Sequence, residues 1–128
     1  MICGQQVKIS ERLLMGERIL NCAQALAEAL HEEMTRDERV YIIGEDLTAH
    51  AGIFGQFKGI PEAFPERIFD TPISEAAIVG VGVGSALTGM RPFVDLHFSD
   101  FVTCCMDELV NQAAKIRYML GGQVKVPM

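Results

Sequence analysis

The sequence has no tryptophan and only two tyrosines, no Cys-x-x-Cys pair, no run of basic residues and no apolar run near the length of a membrane span. Each absence closes off a class of function. Without a stretch of ~20 apolar residues, no transmembrane helix is expected. With a net charge of −6 and no basic patch, neither nucleic acid nor an anionic membrane surface is an expected partner. The cysteines Cys3, Cys22, Cys104 and Cys105 lack the spacing of a zinc site, so free buried thiols are expected and no metal-ligand set is. Cys104 and Cys105 are neighbours on a predicted helix, point in different directions and would not readily bridge. Residues 1–8 show no basic region followed by an apolar core, and Glu11 and Glu17 argue against a transit peptide, which makes the cytoplasm the default compartment.

What is present is a chain of 128 residues, 49% hydrophobic and 22% charged, enough for one globular domain that buries about two-thirds of its unfolded surface. Its most informative stretch runs from Phe69 to Gly84, Phe-Asp-Thr-Pro-Ile-Ser-Glu followed by Ala, Ile, Val and Gly. Pro72 disfavours helix at Thr71, and Ser74 is a good N-cap for a helix over 74–87 that stops near Gly89. Glu75 is the one ionisable group at the mouth of that helix, where free backbone N–H groups stabilise a carboxylate. Gly80, Gly82 and Gly84 each cost the helix roughly 1 kcal/mol relative to alanine. Close approach of another helix or subunit offsets that cost, and Gly80 and Gly84, four apart, share one face.

Elsewhere the pattern alternates helix and strand. Residues 1–18 carry no clear pattern and read as a flexible lead-in to a domain over 19–128. Ile19, Cys22, Ala23, Leu26, Ala29 and Leu30 recur at helical spacing up to Met34. Val40-Tyr41-Ile42-Ile43 is a short continuous apolar run, the pattern of a strand buried on both faces of a parallel sheet. Further strands are expected over 67–70, 93–98 and 124–128, with a long irregular loop over 47–66 containing a short helix near 60–64, and a helix over 102–120 closed by Gly121-Gly122. The fold class is therefore α/β with a parallel sheet, incomplete at its carboxyl end. In such sheets ligands collect beyond the carboxyl ends of the strands. Glu45 follows one strand and His97 lies near the end of another. Taken alone, Glu45 is either a solvated loop acid or a site group, and His97 either a hydrogen-bonded core residue or a site group.

Four motifs give the pattern a family. Gly44-Glu45-Asp46, Phe69-Asp70-Thr71-Pro72-Ile73-Ser74-Glu75, Gly89-Met90-Arg91-Pro92 and Asn111-Gln112-Ala113-Ala114-Lys115-Ile116-Arg117-Tyr118 stand in the order found in one group of proteins. From about Ala25 onward the chain resembles the beta subunit of the thiamine-diphosphate-dependent decarboxylating component of 2-oxo acid dehydrogenase complexes, the family of the pyruvate, branched-chain 2-oxo acid and acetoin enzymes. The resemblance implies a three-layer, transketolase-like pyrimidine-binding domain. It further implies that Glu75 is the catalytic acid, hydrogen-bonding a ring nitrogen of the cofactor's aminopyrimidine, and that the cofactor serves as electron sink for decarboxylation, with acyl transfer to a lipoyl group. Glu45, Ile73, His97 and Phe101 are implied to line the cofactor site, and Gly80 and Gly84 to lie at a subunit interface. His97 stands where many relatives carry glutamine and Phe101 where many carry tyrosine, which leaves the substrate open. Implied partners are an alpha subunit, which holds the diphosphate and its magnesium, a second beta subunit in a heterotetramer, and a lipoyl-bearing acyltransferase core. A eukaryotic member would sit in the mitochondrial matrix. The chain reads as roughly the first third of such a subunit.

Two other readings use the same residues. Gly80-x-Gly82-x-Gly84 resembles a dinucleotide fingerprint, but that motif needs a strand before it and an acid about 20 residues on, at the end of the next strand. Here Ser74 starts a helix, and Asp95 falls too early and within the expected strand. The second alternative is a truncated, non-catalytic assembly module of the same family.

Overall fold

The computed structural model describes residues 18–128. Helix α1 (Cys22–Arg36) opens with a capping box, in which Asn21 and Gln24 each accept from the other's backbone N–H. Strand β1 (Val40–Gly44) lies at the centre of a three-stranded sheet of order β2-β1-β3, with β2 (Ile68–Asp70) and β3 (Arg91–Val94) both parallel to it. The apolar run of β1 serves two cores. Val40 and Ile42 pack with Leu30 and Met34 of α1 and with Ile68, whereas Tyr41 and Ile43 pack with Ile78 on the opposite face. Burying a side chain such as Ile42, which is fully inaccessible, contributes about 1.5–3 kcal/mol.

Helix α4 (Glu75–Leu87) lies on that second face and directs Ile78, Val79, Val83 and Ala86 inward. Beyond it, Val79 and Val83 meet Cys105, Leu109 and Val126, so α4 is sandwiched between the sheet and the carboxyl-terminal segment. Sheet, α1 on one side and α4 on the other give the expected three-layer parallel α/β arrangement. No helix among the described residues is long and apolar enough to cross a membrane.

Several expectations need correction. The strand expected over 93–98 instead starts at Arg91 and ends at Val94. Pro92 is tolerated because β3 is an edge strand, and the bonds from Arg91 N to Arg39 O and from Asp95 N to Ile43 O straddle it. The residues after Val94 are drawn off the sheet by a turn at His97, described below. Residues 124–128 form no strand; Val126 packs against the α4 cluster without pairing. The helix expected over 102–120 is three pieces, a 3₁₀ segment (Ser99–Cys105), a π-helical segment (Glu108–Ala113) and α5 (Ile116–Met119).

The irregular loop over 47–66 contains α3 (Ile60–Ala63) near the expected place but also α2 (Leu47–His50), and it supplies Leu47, Phe57 and Ile60 to the core, all fully buried. A run rich in glycine and proline conceals those anchors, since only the fold determines which of its apolar residues turn inward. Ser74 occupies the N-cap position of α4, but its hydroxyl donates to the Pro72 carbonyl and leaves the helix amides uncapped. Cys105 is buried as expected, whereas Cys22 and Cys104 are exposed; all three are free thiols. Cys3 and the lead-in up to residue 17 lie outside the described residues.

Candidate functional site at the carboxyl edge of the sheet

All five residues expected at the cofactor follow the carboxyl ends of strands. Glu45 comes directly after β1, Ile73 and Glu75 follow β2, and His97 and Phe101 follow β3. Because β1 is central and pairs with both neighbours, three loops from adjacent strands emerge along one edge. Two fasteners hold the first two together. Thr71 donates to Gly44 O through its backbone N–H at 2.8 Å and its hydroxyl at 3.2 Å. The Asp70 carboxylate accepts from Leu47 N at 2.5 Å, from Thr48 N at 3.2 Å and from the Thr48 hydroxyl. It thus satisfies the first amides of α2, the work of a cap supplied from a distant strand. The turn it stabilises includes Asp46 in left-handed backbone, φ 47°, a conformation that needs external support in any residue but glycine. Asp70 therefore supports the turn that follows Glu45.

The third loop is tied to the first through His97. Its Nε2 lies 2.7 Å from the Glu45 carbonyl oxygen and 3.2 Å from Asp95 Oδ2. His97 has a φ of 58°, and Phe98 N donates to Leu96 O, which closes a tight turn of the strained handedness around the histidine. Asp95 Oδ2 is buried with no hydrogen-bond partner among the described residues. Burial pushes the Asp95 carboxyl up from its ordinary value, opposed by the neighbouring His97 and by the Gln56 amide.

The carboxylates of Glu45 and Glu75, both half-buried, have no hydrogen-bond or ion-pair partner among the described residues. Ile73 is 81% exposed between them in sequence, an extreme value for an isoleucine. Phe101 is part of an aromatic ladder, edge-to-face with Phe98, which meets Phe54 in the same way. The edge thus offers free carboxylates, an accessible aliphatic side chain and exposed aromatic rings, the groups that hold a flat, amino-substituted ring by hydrogen bonds and stacking. Cys105 donates to the Phe101 and Val102 carbonyls, and its thiol is pushed up by burial and by the nearby Glu108, Cys104 and Glu75.

Sequence reasoning named Gly80, Gly82 and Gly84 together but gave the role of close packing to Gly80 and Gly84. A Cβ at Gly82 would lie 2.6 Å from Val94 Cγ2, so this is the glycine that lets α4 settle on β3. Among the described residues, a Cβ at Gly84 would meet nothing within 4 Å, and at Gly80 only Glu108 Cγ at 3.8 Å. Asp70, Gln56 and Asp95 were also missed as site-building residues. Asp70 lies inside a quoted motif, yet its partners are more than 20 residues away, and no local pattern reveals them.

Comparison with known proteins agrees with this geometry. The family described as transketolase, pyrimidine binding domain, matches residues 19–128. The chain is 42% identical over 121 residues to the acetoin:2,6-dichlorophenolindophenol oxidoreductase subunit beta of Cupriavidus necator, covering 87% of this chain and 36% of that one. It is 40% identical over 111 residues to the 2-oxoisovalerate dehydrogenase subunit beta of Bacillus subtilis, covering 86% and 34%. It is 43% identical over 106 residues to the pyruvate dehydrogenase E1 component subunit beta of Rickettsia conorii, covering 82% and 32%. The chain spans about a third of the length of these relatives. A parallel sheet whose carboxyl edge bears two of the four motifs, Gly44-Glu45-Asp46 and the stretch from Phe69 to Glu75, and a match over nearly its whole described length, make this chain a member of the transketolase pyrimidine-binding domain family.

Proposed function

We propose that this chain provides the pyrimidine side of a thiamine-diphosphate site in the beta subunit of a 2-oxo acid or acetoin dehydrogenase. The observation that carries this reading is the meeting, on one sheet edge, of three strand-end loops bearing Glu45 and Glu75 carboxylates without partners among the described residues, an exposed Ile73 and the Phe101 ring. When bound, thiamine diphosphate supplies the electron sink for oxidative decarboxylation, with the acyl group passing to a lipoyl acceptor.

Within that reading Glu75 is the catalytic residue, holding or moving a proton at a ring nitrogen of the pyrimidine. Its place in the first turn of α4 gives the ionised carboxylate the support of the helix dipole. Glu45 supports the ring from the central strand. Ile73 and Phe101 pack against its faces and keep water out, and His97 supplies a further polar contact. The diphosphate and magnesium belong to an alpha subunit. The exposed face of α4, with Val81 51% accessible and Gly84 bare, suits packing against a partner subunit in a heterotetramer that serves a lipoyl-bearing acyltransferase core. A cytoplasmic setting, or the mitochondrial matrix in a eukaryote, fits this role.

The test is calorimetric titration of thiamine diphosphate with magnesium into the chain alone and into its mixture with a matching alpha subunit. Binding in the mixture, with turnover abolished by Glu75→Gln, is the expected result. Absence of binding in both would leave an assembly module without catalytic chemistry.

A further inference from the structure

The orphaned carboxylate oxygen of Asp95 and the strained turn at His97 are one construction. His97 Nε2 points at the Glu45 carbonyl, which can only accept, so Nε2 must carry the ring proton. Asp95 Oδ2, 3.2 Å from the same nitrogen, makes no hydrogen bond to it but sets a carboxylate charge beside it, which favours a proton at Nε2. The side chains are 7% and 14% exposed, so the ring has little freedom to turn. Gly44 allows the approach, since a Cβ there would come within 2.9 Å of the Asp95 carbonyl oxygen. With Nε2 occupied, Nδ1 has no partner among the described residues, and His97 lines a shallow hollow of about 380 Å³ with Phe98, Ser99 and Val102.

We propose that Asp95 is a positioning residue acting through His97, holding the imidazole so that Nδ1 is a hydrogen-bond acceptor for the amino group of an aminopyrimidine ligand. The ligand in this statement rests on the thiamine-diphosphate reading above; the pair itself does not. A backbone φ of 58° at a non-glycine residue persists only where the surroundings over-determine it, and here they do so from two sides, the Glu45 carbonyl and the Asp95 carboxylate. Such a device gives the ring one tautomer and one direction before any ligand arrives.

The test has two arms. In the first, ¹⁵N-histidine NMR of the chain alone reads the tautomer of each of its three histidines, with His97 assigned by its loss in His97→Gln. His97 is expected as the Nε2–H form at neutral pH, giving way to an averaged ring in Asp95→Asn. A wild-type Nδ1–H form, or a His97 signal untouched by Asp95→Asn, overturns the proposal. In the second, thiamine diphosphate affinity is measured by calorimetry on the assembly with an alpha subunit. Asp95→Asn is expected to weaken binding about 3–10-fold, as for one misaligned hydrogen bond. It should add nothing to His97→Leu, while His97→Gln, whose amide oxygen also accepts, should retain near-normal affinity. Additive losses would show that Asp95 acts independently of His97 and overturn its positioning role. Failure of the wild-type assembly to bind removes the ligand assigned to Nδ1, whereas the NMR arm still decides the pair.

Discussion

The two edges of the sheet are built on opposite plans. At the amino edge the charges are matched. Asp37 accepts from Arg39 N and Nε at 2.9 Å each and from Arg39 Nη2 at 2.7 Å, with Arg91 Nε at 3.3 Å, and these hydrogen bonds and charges hold its carboxyl well below the usual range. Arg67 donates to the Asp37 and Val40 carbonyls and lies over the Phe64 ring. The larger hollows at this edge, about 670 and 860 Å³, include Asp37, Arg39, Arg67 and Arg91 of these pairs in their lining. In the loops beyond the carboxyl edge, by contrast, carboxylates stand without partners among the described residues, the non-glycine residues Asp46, Ala51 and His97 have left-handed backbone, and an isoleucine and aromatic rings are exposed. Hollow size is therefore a poor guide here. Unsatisfied chemistry held in place by a rigid scaffold is the better sign of a site.

The contrast can be broken in four ways. Glu75→Gln should have the largest effect, lowering turnover of the assembled enzyme by about 10²–10⁴-fold, as expected for loss of a positioned proton donor or acceptor, with an unchanged thermal midpoint. Next, Gly82→Ala forces a methyl group against Val94 and should cost about 1–3 kcal/mol in urea unfolding, because the overlap is with a packed side chain. Asp70→Ala removes the remote cap of α2 and should cost about 0.5–2 kcal/mol, accompanied by weaker cofactor binding as Glu45 shifts. The smallest effect belongs to the amino edge, where Asp37→Asn should lower the melting temperature by about 2–4 °C and leave cofactor affinity unchanged. That contribution has a defined pH window. The folded value of Asp37 is depressed, so its stabilisation is present above the unfolded value of 3.8 and is lost as pH falls below it. The variant should therefore be less stable than the parent at neutral pH and should lack the acid limb of the stability curve that Asp37 produces.

Much of the fold was legible because it depends on local signals. The apolar run at 40–43 demanded a strand buried on both faces, and Pro72 with Glu75 marked the start of α4. The place of Glu45 after a strand and of Glu75 at the mouth of a helix followed from the same local signals, whereas His97 was expected inside a strand over 93–98 and Ile73 and Phe101 were implied by the resemblance alone. The rest depends on contacts between distant residues. Nothing near Asp95 in sequence announces that Glu45, 52 residues before His97, will bend the chain off the sheet after Val94. Phe57 sits among glycines and polar residues, yet it is fully buried and meets Phe93 edge-to-face. The helix over 102–120 was misread because its apolar spacing is helical on average, while the backbone tightens to 3₁₀ at Ser99–Cys105 and widens to π at Glu108–Ala113.

Pro92 has a consequence for growth of the sheet. In β3 the amides of Arg91 and Asp95 face β1, so the alternate positions, 92 and 94, face the open side. A proline at 92 leaves Val94 as the single outward N–H donor of the strand. A stray strand approaching this side meets a row of acceptors with one donor, a poor template for indiscriminate pairing. A strand that does belong there must set a carbonyl opposite Val94, and that one requirement selects its register.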